Sequence, residues 1–357
     1  MIDLTDYGYD GPELPGGLIP GRVTEQQRDL YTIITFRGEA QAVLKGSFLH
    51  GAEERVSYPC VGDFVALRLN ENGVSQISGL LPRRSKFSRA DLSGHAEGYV
   101  KTILEQVVAA NFDYVFILSS VNNDFNVNRI ARYITQARQS GGQPVVVLTK
   151  SDLNPGYGEL IAEVNAAAPG VPVCAVSSRE RTGLEAFGDY LKPGKTAVFL
   201  GMSGVGKSSL LNALADEELM AVKETRSVDD SKGRHTTTHR HLFMLPSGAM
   251  VIDTPGMREL GLFGADEAIE VNFSGAEEII SRCRFSDCRH GNEPGCAVKR
   301  ALSDGTLDQK TWERYLAQKR ENKFVDDRAG YLSDKKEWGK SVSKMSRQMK
   351  KAGKMKR

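Results

Sequence analysis

The chain has 357 residues, a length that implies two or three domains. With 40% hydrophobic and 26% charged residues it has material for packed cores, which excludes a disordered chain. No stretch of about eighteen consecutive apolar residues occurs, and the opening Met1-Ile2-Asp3-Leu4-Thr5-Asp6-Tyr7 lacks the basic start and apolar centre of a secretion signal. The expectation is a soluble, cytoplasmic protein with no membrane partner; nothing demands a dimer, so a monomer is expected.

Residues 1 to about 20 are rich in Gly and Pro and read as irregular. Short strands follow at Leu30–Phe36, Glu39–Leu44, Val61–Leu69 and Val74–Ile77, the last pair joined as a hairpin through Asn70-Glu71-Asn72-Gly73. A five-stranded antiparallel barrel fits them best, because closure removes exposed edges; its fifth strand is assumed. Such a barrel binds oligonucleotides or serves as a packing module. The connector Leu81–Arg89 carries Arg83, Arg84, Lys86 and Arg89, which either face a phosphate backbone or are simply solvated.

From about Gly98 to Gly264, strands and helices alternate. Val100–Ala110 reads as a helix, Tyr114–Leu118 as a buried strand and Asn128–Gln139 as a helix. Strand Pro144–Leu148, helix Leu160–Ala168, strand Val171–Val176, short helix Leu184–Leu191 and strand Thr196–Leu200 follow. Two more strands fit His241–Leu245 and Ala249–Ile252. This is the signature of a mostly parallel sheet covered on both faces. Beyond Ala276 lie a Cys/His cluster and two helical stretches, Thr311–Glu321 and about 335–350.

The segment Gly201-Met202-Ser203-Gly204-Val205-Gly206-Lys207-Ser208 fills every fixed position of a phosphate-binding loop, and Ser209 continues it into a helix. Its glycines let backbone N–H groups wrap phosphates, Lys207 reaches the β and γ phosphates, and Ser208 binds Mg²⁺. Asp253-Thr254-Pro255-Gly256 lies 45 residues beyond Ser208 at a strand end. There Asp253 can hold Mg²⁺ through water, and Gly256 can offer its N–H to the γ-phosphate. Between them the polar run Gly233-Arg234-His235-Thr236-Thr237-Thr238-His239 can place a hydroxyl on Mg²⁺, with Thr237 the first choice and Thr236 and Thr238 close behind. Met257 stands where many GTPases orient water with Gln, so intrinsic hydrolysis should be slow. His235, His239 or a group on a partner is then needed to complete the site.

Base choice rests on Thr149-Lys150-Ser151-Asp152 and Ser177-Ser178, each at the C-terminal end of a strand. The Asp152 carboxylate can accept the N1 and N2 hydrogens of guanine, the Lys150 stem can lie over the ring, and the Ser177 N–H can meet O6. These pieces precede the phosphate loop instead of following it, the order a circular permutation would give.

Cys283, Cys288, His290 and Cys296, at intervals of five, two and six residues, form a Cys₃His set suited to one structural Zn²⁺ with no open position. Arg282, Arg284, Arg289, Lys299 and Arg300 surround it, so the region is a nucleic-acid surface, a staple for a small subdomain, or both. Residues 335–357 contain ten Lys or Arg against one Glu. That tail suits RNA phosphates; membrane adsorption is the rival, but no strongly apolar face accompanies the charge.

With these motifs in this order the chain resembles the bacterial ribosome small-subunit-dependent GTPases, a circularly permuted family. The resemblance rests on Gly201–Ser209, Lys232–Thr238, Asp253–Gly256 with Arg258-Glu259, Glu293–Val298 and Ala109–Asp113, and it covers nearly the whole chain. It implies an α/β fold: an N-terminal OB-fold RNA-binding barrel (1–85), a circularly permuted P-loop GTPase domain (86–270) and a C-terminal zinc-binding α-helical domain with a basic tail (271–357). It also implies hydrolysis of GTP to GDP and phosphate, stimulated by the 30S subunit, late in 30S maturation. Contacts to 16S rRNA and release of other 30S assembly factors follow from it as well. Thr149 departs from the Asn common before the Lys. The alternatives are a GTP-regulated RNA-binding placeholder with little turnover, and an ATPase or small-molecule kinase.

Overall fold

The computed structural model describes residues 1–46, 58–91, 96–97, 100–101, 104–122, 125–220, 240–253, 265–291 and 293–326. They fall in two compact units, one built from 1–91 and 104–260, the other from 92–103 and 261–357.

The first unit begins with a barrel. Strands β1 (Ile19–Gln27), β2 (Leu30–Thr35), β3 (Gly38–Leu44), β4 (Phe64–Arg68) and β5 (Ser75–Leu80) run in the order β1-β2-β3-β5-β4, and β4 returns to β1; β3 and β5 pair parallel, which corrects the wholly antiparallel expectation. Alternate residues point inward, so Val23, Ile33, Val65, Leu67 and Ile77 fill the interior with Tyr31. The assumed fifth strand is β1, which starts inside the stretch expected to be irregular. Gly21 belongs there for packing, because a Cβ would lie 2.5 Å from Ile33 Cγ2. The expected Asn70–Gly73 hairpin joins β4 to β5, and Asn70 Oδ1 accepts the Asn72 N–H at 3.2 Å.

Two short pieces, β6 (Lys86–Asp91) and β9 (Leu104–Ala110), pair antiparallel; β7 (Ala96–Glu97) and β8 (Val100–Lys101) form a separate two-stranded ribbon. The helix expected over Val100–Ala110 is therefore strand. Val107 packs with Cys60 and Ala110, whereas Val108 and Ala109 enter the larger core. A segment buried on both sides has no polar face, and its apolar run mimics a buried helix. The Leu81–Arg89 connector is also structured. Arg83 forms an ion pair with buried Asp63 at 2.7 Å and donates to the Tyr58 carbonyl, so it neither faces a phosphate backbone nor is simply solvated.

The α/β part follows. β10 (Tyr114–Ser120), β11 (Gln143–Thr149), β12 (Val173–Val176), β13 (Thr196–Gly201) and β15 (Met250–Asp253) are parallel, and β14 (Arg240–Met244) is antiparallel to β15. Helices α1 (Val127–Gln139) and α2 (Tyr157–Ala167) cover one face through Ile130, Ile134 and Val164; α3 (Lys207–Ala215) and a 3₁₀ turn at Leu184–Asp189 cover the other through Leu210, Leu211 and Phe187. Along β10, Val115 and Ile117 serve the first face, Phe116 and Leu118 the second. β14 also pairs with β1, so barrel and α/β part share one eleven-stranded hydrogen-bonded sheet.

At that seam Arg22 is fully buried. Its guanidinium donates to the carbonyls of Tyr7 (2.6 Å), Asn111 (2.8 Å) and Gly62 (3.3 Å), reaches Met250 Sδ at 3.2 Å, and lies over the Phe64 ring. Burial pulls its pKa down to about 9, which leaves it a cation at neutral pH.

Apart from the β7–β8 ribbon, the second unit is helical among the described residues. α4 (Asp266–Asn272), α5 (Ser274–Ser281), α6 (Ala297–Asp304) and α7 (Gln309–Asp326) bury Ile269, Phe273, Val298, Trp312 and Tyr315 together. α7 extends the expected Thr311–Glu321 in both directions. The helix expected over 335–350 lies outside the described residues.

Candidate functional site

The C-terminal ends of β10, β11, β12, β13 and β15 form one edge of the sheet, and the chain reverses its winding between β10 and β13. Open α/β sheets bind ligands at such a point. The Gly201–Ser208 loop leaves β13 here and enters α3 at Lys207. Gly204 and Gly206 hold positive φ of 76° and 105°, conformations that side chains resist. Gly201 is needed for closeness: a Cβ there would sit 2.7 Å from the Leu118 carbonyl of β10. Val205 is buried and anchors the loop, whereas Ser203 and Gly204 are exposed and Met202, Ser208 and Ser209 are half-buried. The Lys207 ammonium donates to the carbonyls of Gly201 (2.7 Å) and Met202 (2.8 Å), which hold it across the loop.

The segment expected to recognise the base meets this loop. Thr149, 2% exposed at the end of β11, donates its hydroxyl to the Val205 carbonyl at 2.6 Å. Lys150, in left-handed backbone (φ 60°), donates to the Gly204 carbonyl at 2.8 Å. Two adjacent carbonyls of the loop are thus tied to a segment more than fifty residues earlier in the chain. The Ser177 hydroxyl donates to Asp152 Oδ1 at 2.6 Å and accepts the Glu180 N–H at 3.1 Å, which aims the Asp152 carboxylate. One expectation is corrected: the Ser177 N–H does not face a base. It donates to the Thr182 carbonyl at 3.0 Å, because Ser177 and Thr182 exchange both backbone bonds to close the turn between them. Half-buried Ser178 is the next residue along.

Asp253 ends β15, 7% exposed, and pairs across to His241, which itself pairs to Glu25 of the barrel. Burial holds the His241 imidazole below its ordinary pKa, against the pull of Glu25. Ser208 and Asp253 bring a hydroxyl and a carboxylate, the oxygen donors Mg²⁺ prefers. Thr236, Thr237, Thr238, His235, His239, Gly256 and Met257 lie outside the described residues. Two further residues touch the expected site residues. Tyr133 of α1 points its hydroxyl at Met202 Sδ, 3.8 Å away, and Thr182 takes the Ser177 N–H. Neither carries a sequence signal: Tyr133 acts through one contact 69 residues along the chain, and Thr182 acts through its main chain, which any residue supplies.

In the second unit Cys283, Cys288, His290 and Cys296 present ligand atoms that all lie within 4.8 Å of one another. Cys283 Sγ and Cys296 Sγ are each 3.7 Å from His290 Nδ1. A tetrahedral zinc with bonds of about 2.0–2.3 Å has edges of about 3.5–3.8 Å, so the set fits that ion. Left-handed backbone at His290 (φ 57°) turns the ring inward, and Trp312 packs edge-on against it at 5.3 Å. Burial pushes the Cys283 thiol up, but the N–H groups of Val298 and Ala297 and the neighbouring thiols hold it below its ordinary value. For Cys288 the His290 N–H pulls downward, yet burial and the other two thiols push it up to about 11. Cys296 also caps α6, accepting the Lys299 N–H at 3.4 Å. The cluster therefore organises the lobe's backbone, as a structural metal does. Cys60 and Cys174 are not part of it, and burial pushes both thiols up.

The family model for the RsgA GTPase matches residues 80–263. The small ribosomal subunit biogenesis GTPase RsgA 1 of Listeria innocua is 46% identical over 302 residues, 84% of this chain and 83% of that one. The small ribosomal subunit biogenesis GTPase RsgA of Opitutus terrae is 40% identical over 343 residues, 91% of each. Among solved structures, YjeQ from Thermotoga maritima is similar with a TM-score of 0.61 and 26% identity, over 85% of this chain and 98% of that one. YloQ, described as a circularly permuted GTPase, shares the fold with a TM-score of 0.59 over 86% of this chain and 95% of that one, at 24% identity.

Proposed function

The chain belongs to the RsgA GTPase family, and from that premise we propose that its GTP hydrolysis serves biogenesis of the small ribosomal subunit and is switched on by the 30S particle late in maturation. Water attacks the γ-phosphorus, the bond to the β-γ bridging oxygen breaks, and GDP and phosphate leave. The observation that carries the site assignment is the pair of bonds from Thr149 and Lys150 to the Val205 and Gly204 carbonyls, which dock the base-recognition segment onto the phosphate loop.

On this reading the backbone N–H groups from Ser203 to Ser209 wrap the phosphates. Lys207 exchanges its loop carbonyls for β and γ oxygens. Ser208, Asp253 and Thr237 serve Mg²⁺, whose charge polarises the phosphates. Asp152, aimed by the Ser177 hydroxyl, accepts the N1 and N2 hydrogens of guanine, and the Ser178 N–H takes O6. Gly256 senses the γ-phosphate. Met257 cannot orient water, so intrinsic turnover is slow until His235, His239 or a group of the particle does so. Cys283, Cys288, His290 and Cys296 hold one structural Zn²⁺. The barrel, the zinc lobe and the tail meet 16S rRNA, the cycle couples to release of other 30S assembly factors, and the protein acts as a cytoplasmic monomer.

The test is multiple-turnover GTP hydrolysis with added 30S, 50S or 70S particles. Stimulation by 30S is expected; a rate unchanged by 30S, or already fast in the isolated protein, overturns the reading.

A further inference from the structure

We propose that Phe285, with the Arg284 guanidinium against its ring, is a stacking platform for one unpaired RNA base. The inference rests on the RNA-contacting reading above and assigns a particular side chain and a particular ligand chemistry to the zinc lobe.

Phe285 is 41% exposed, whereas the other aromatic side chains described in the lobe, Phe273, Trp312 and Tyr315, are in its core. A single exposed aromatic is ordinary on a protein surface. What sets this one apart is how it is held. It sits between two ligands of the Cys₃His cluster, Cys283 and Cys288, and its main chain is tied on both sides. The Arg284 N–H donates to the Gly295 carbonyl at 3.3 Å, and the Phe285 carbonyl accepts the Cys288 N–H at 3.3 Å. Gly295, with a φ of 79°, passes so close to the Arg284 side chain that a Cβ would lie 3.0 Å from Arg284 Cβ. The ring therefore stands on a short turn whose backbone is pinned between two cluster residues.

The surroundings select the ligand. The Arg284 guanidinium lies 5.4 Å from the ring centroid. Arg282, Arg284, Arg289, Lys299 and Arg300 are all exposed within the same nineteen-residue stretch, against Asp287 and Glu293. Glu293 is drawn inward, accepting the Arg289 N–H at 3.3 Å, and Arg282 is paired with Glu278. A rigid π-face beside a guanidinium plane, inside a field of positive charge, matches a nucleobase with its phosphates. Paired bases in an RNA helix do not offer their faces, so the ligand is a single-stranded loop, bulge or end. One aromatic without an apolar surround is too little for a membrane.

The experiment uses the full-length, zinc-loaded protein and a labelled ten-nucleotide single-stranded oligoribonucleotide, with a duplex of equal length as comparison. Phe285→Ala is expected to weaken single-strand binding about tenfold. It should leave the slope of log affinity against log salt, the duplex affinity and the zinc content unchanged. Phe285→Trp should restore single-strand binding. Arg284→Ala should weaken both ligands and flatten the single-strand salt slope by about 0.7. Unchanged single-strand affinity in Phe285→Ala overturns the proposal, as does an equal loss for single strand and duplex or failure of Trp to rescue. A wild-type protein that 30S does not stimulate would sink the ribosomal reading while leaving the oligonucleotide result to stand or fall on its own.

Discussion

Thr149 shows how one side chain divides two tasks. An Asn at that position would have a longer, forked amide; Thr offers a single hydroxyl, and the structure spends it on the Val205 carbonyl at 2.6 Å. That bond fixes the phosphate loop from behind, while Lys150 fixes it from above through Gly204. In the proposed function guanine selection is left to Asp152, whose carboxylate the Ser177 hydroxyl orients. Thr149→Val keeps the shape and removes only the hydroxyl, leaving a buried carbonyl unpaired at a cost of about 1–3 kcal/mol. GTP affinity measured by calorimetry should fall about tenfold, with GDP affinity falling in parallel because both share the loop. A loss confined to GTP would mean that the bond acts on the γ-phosphate instead. The loop itself was legible in the sequence, because its glycines and Lys207 must occupy fixed places to wrap phosphates. The use of the Ser177 N–H was not, since the Thr182 carbonyl that takes it belongs to a turn with no distinctive residues.

At the scale of elements, legibility followed burial. Strands such as β11 and β13 are continuous apolar runs ended by functional loops, and both were readable. Leu104–Ala110 was not: with Val107 and Val108 buried in different clusters, it lacks the alternation that marks a strand and reads as a helix. β1 was hidden because Pro20 and Gly21 look like loop, whereas Gly21 is there to let Ile33 approach. The Cys₃His set was fully legible by residue type, and its consequence belongs to the helices around it. Cys296 caps α6, His290 abuts Trp312 of α7, and the N–H groups of Ala297 and Val298 face Cys283. Four closely set thiol and imidazole groups without an ion between them would leave α6 and α7 poorly anchored. Chelation with a strong zinc ligand should therefore release about one zinc per chain and lower helicity in far-ultraviolet circular dichroism. GTP affinity should persist, because the nucleotide residues described belong to the other compact unit. Loss of GTP binding on chelation would show that the two units do not fold independently.

At the scale of the molecule, the barrel is built into the nucleotide-binding sheet. The register row Glu25–His241–Asp253 runs from β1 through β14 to the residue assigned to Mg²⁺. Arg22 closes the same seam from within, joining the segment before β1, the turns at Gly62 and Asn111, and Met250 of β15. Nothing in the sequence marks it, because an Arg beside Pro20 and Gly21 reads as a solvent-facing loop residue; only the converging carbonyls explain a charge at zero exposure. Arg22→Met fills much of the volume but removes the donor to the Tyr7 and Asn111 carbonyls, while Gly62 keeps its bond from Asn111 Nδ2; the loss is about 3 kcal/mol. For a unit of this size that corresponds to a fall in melting temperature of about 6–12 °C. Because the seam joins barrel and α/β part in one sheet, calorimetry should show a single transition for both, and Arg22→Met should move it as one. The transition of the zinc lobe, identified by its response to chelation, should stay where it is. If the substitution instead splits the first transition, with the barrel melting ahead of the nucleotide-binding part, then the β1–β14 pairing is too weak to unite them and Arg22 alone held the seam.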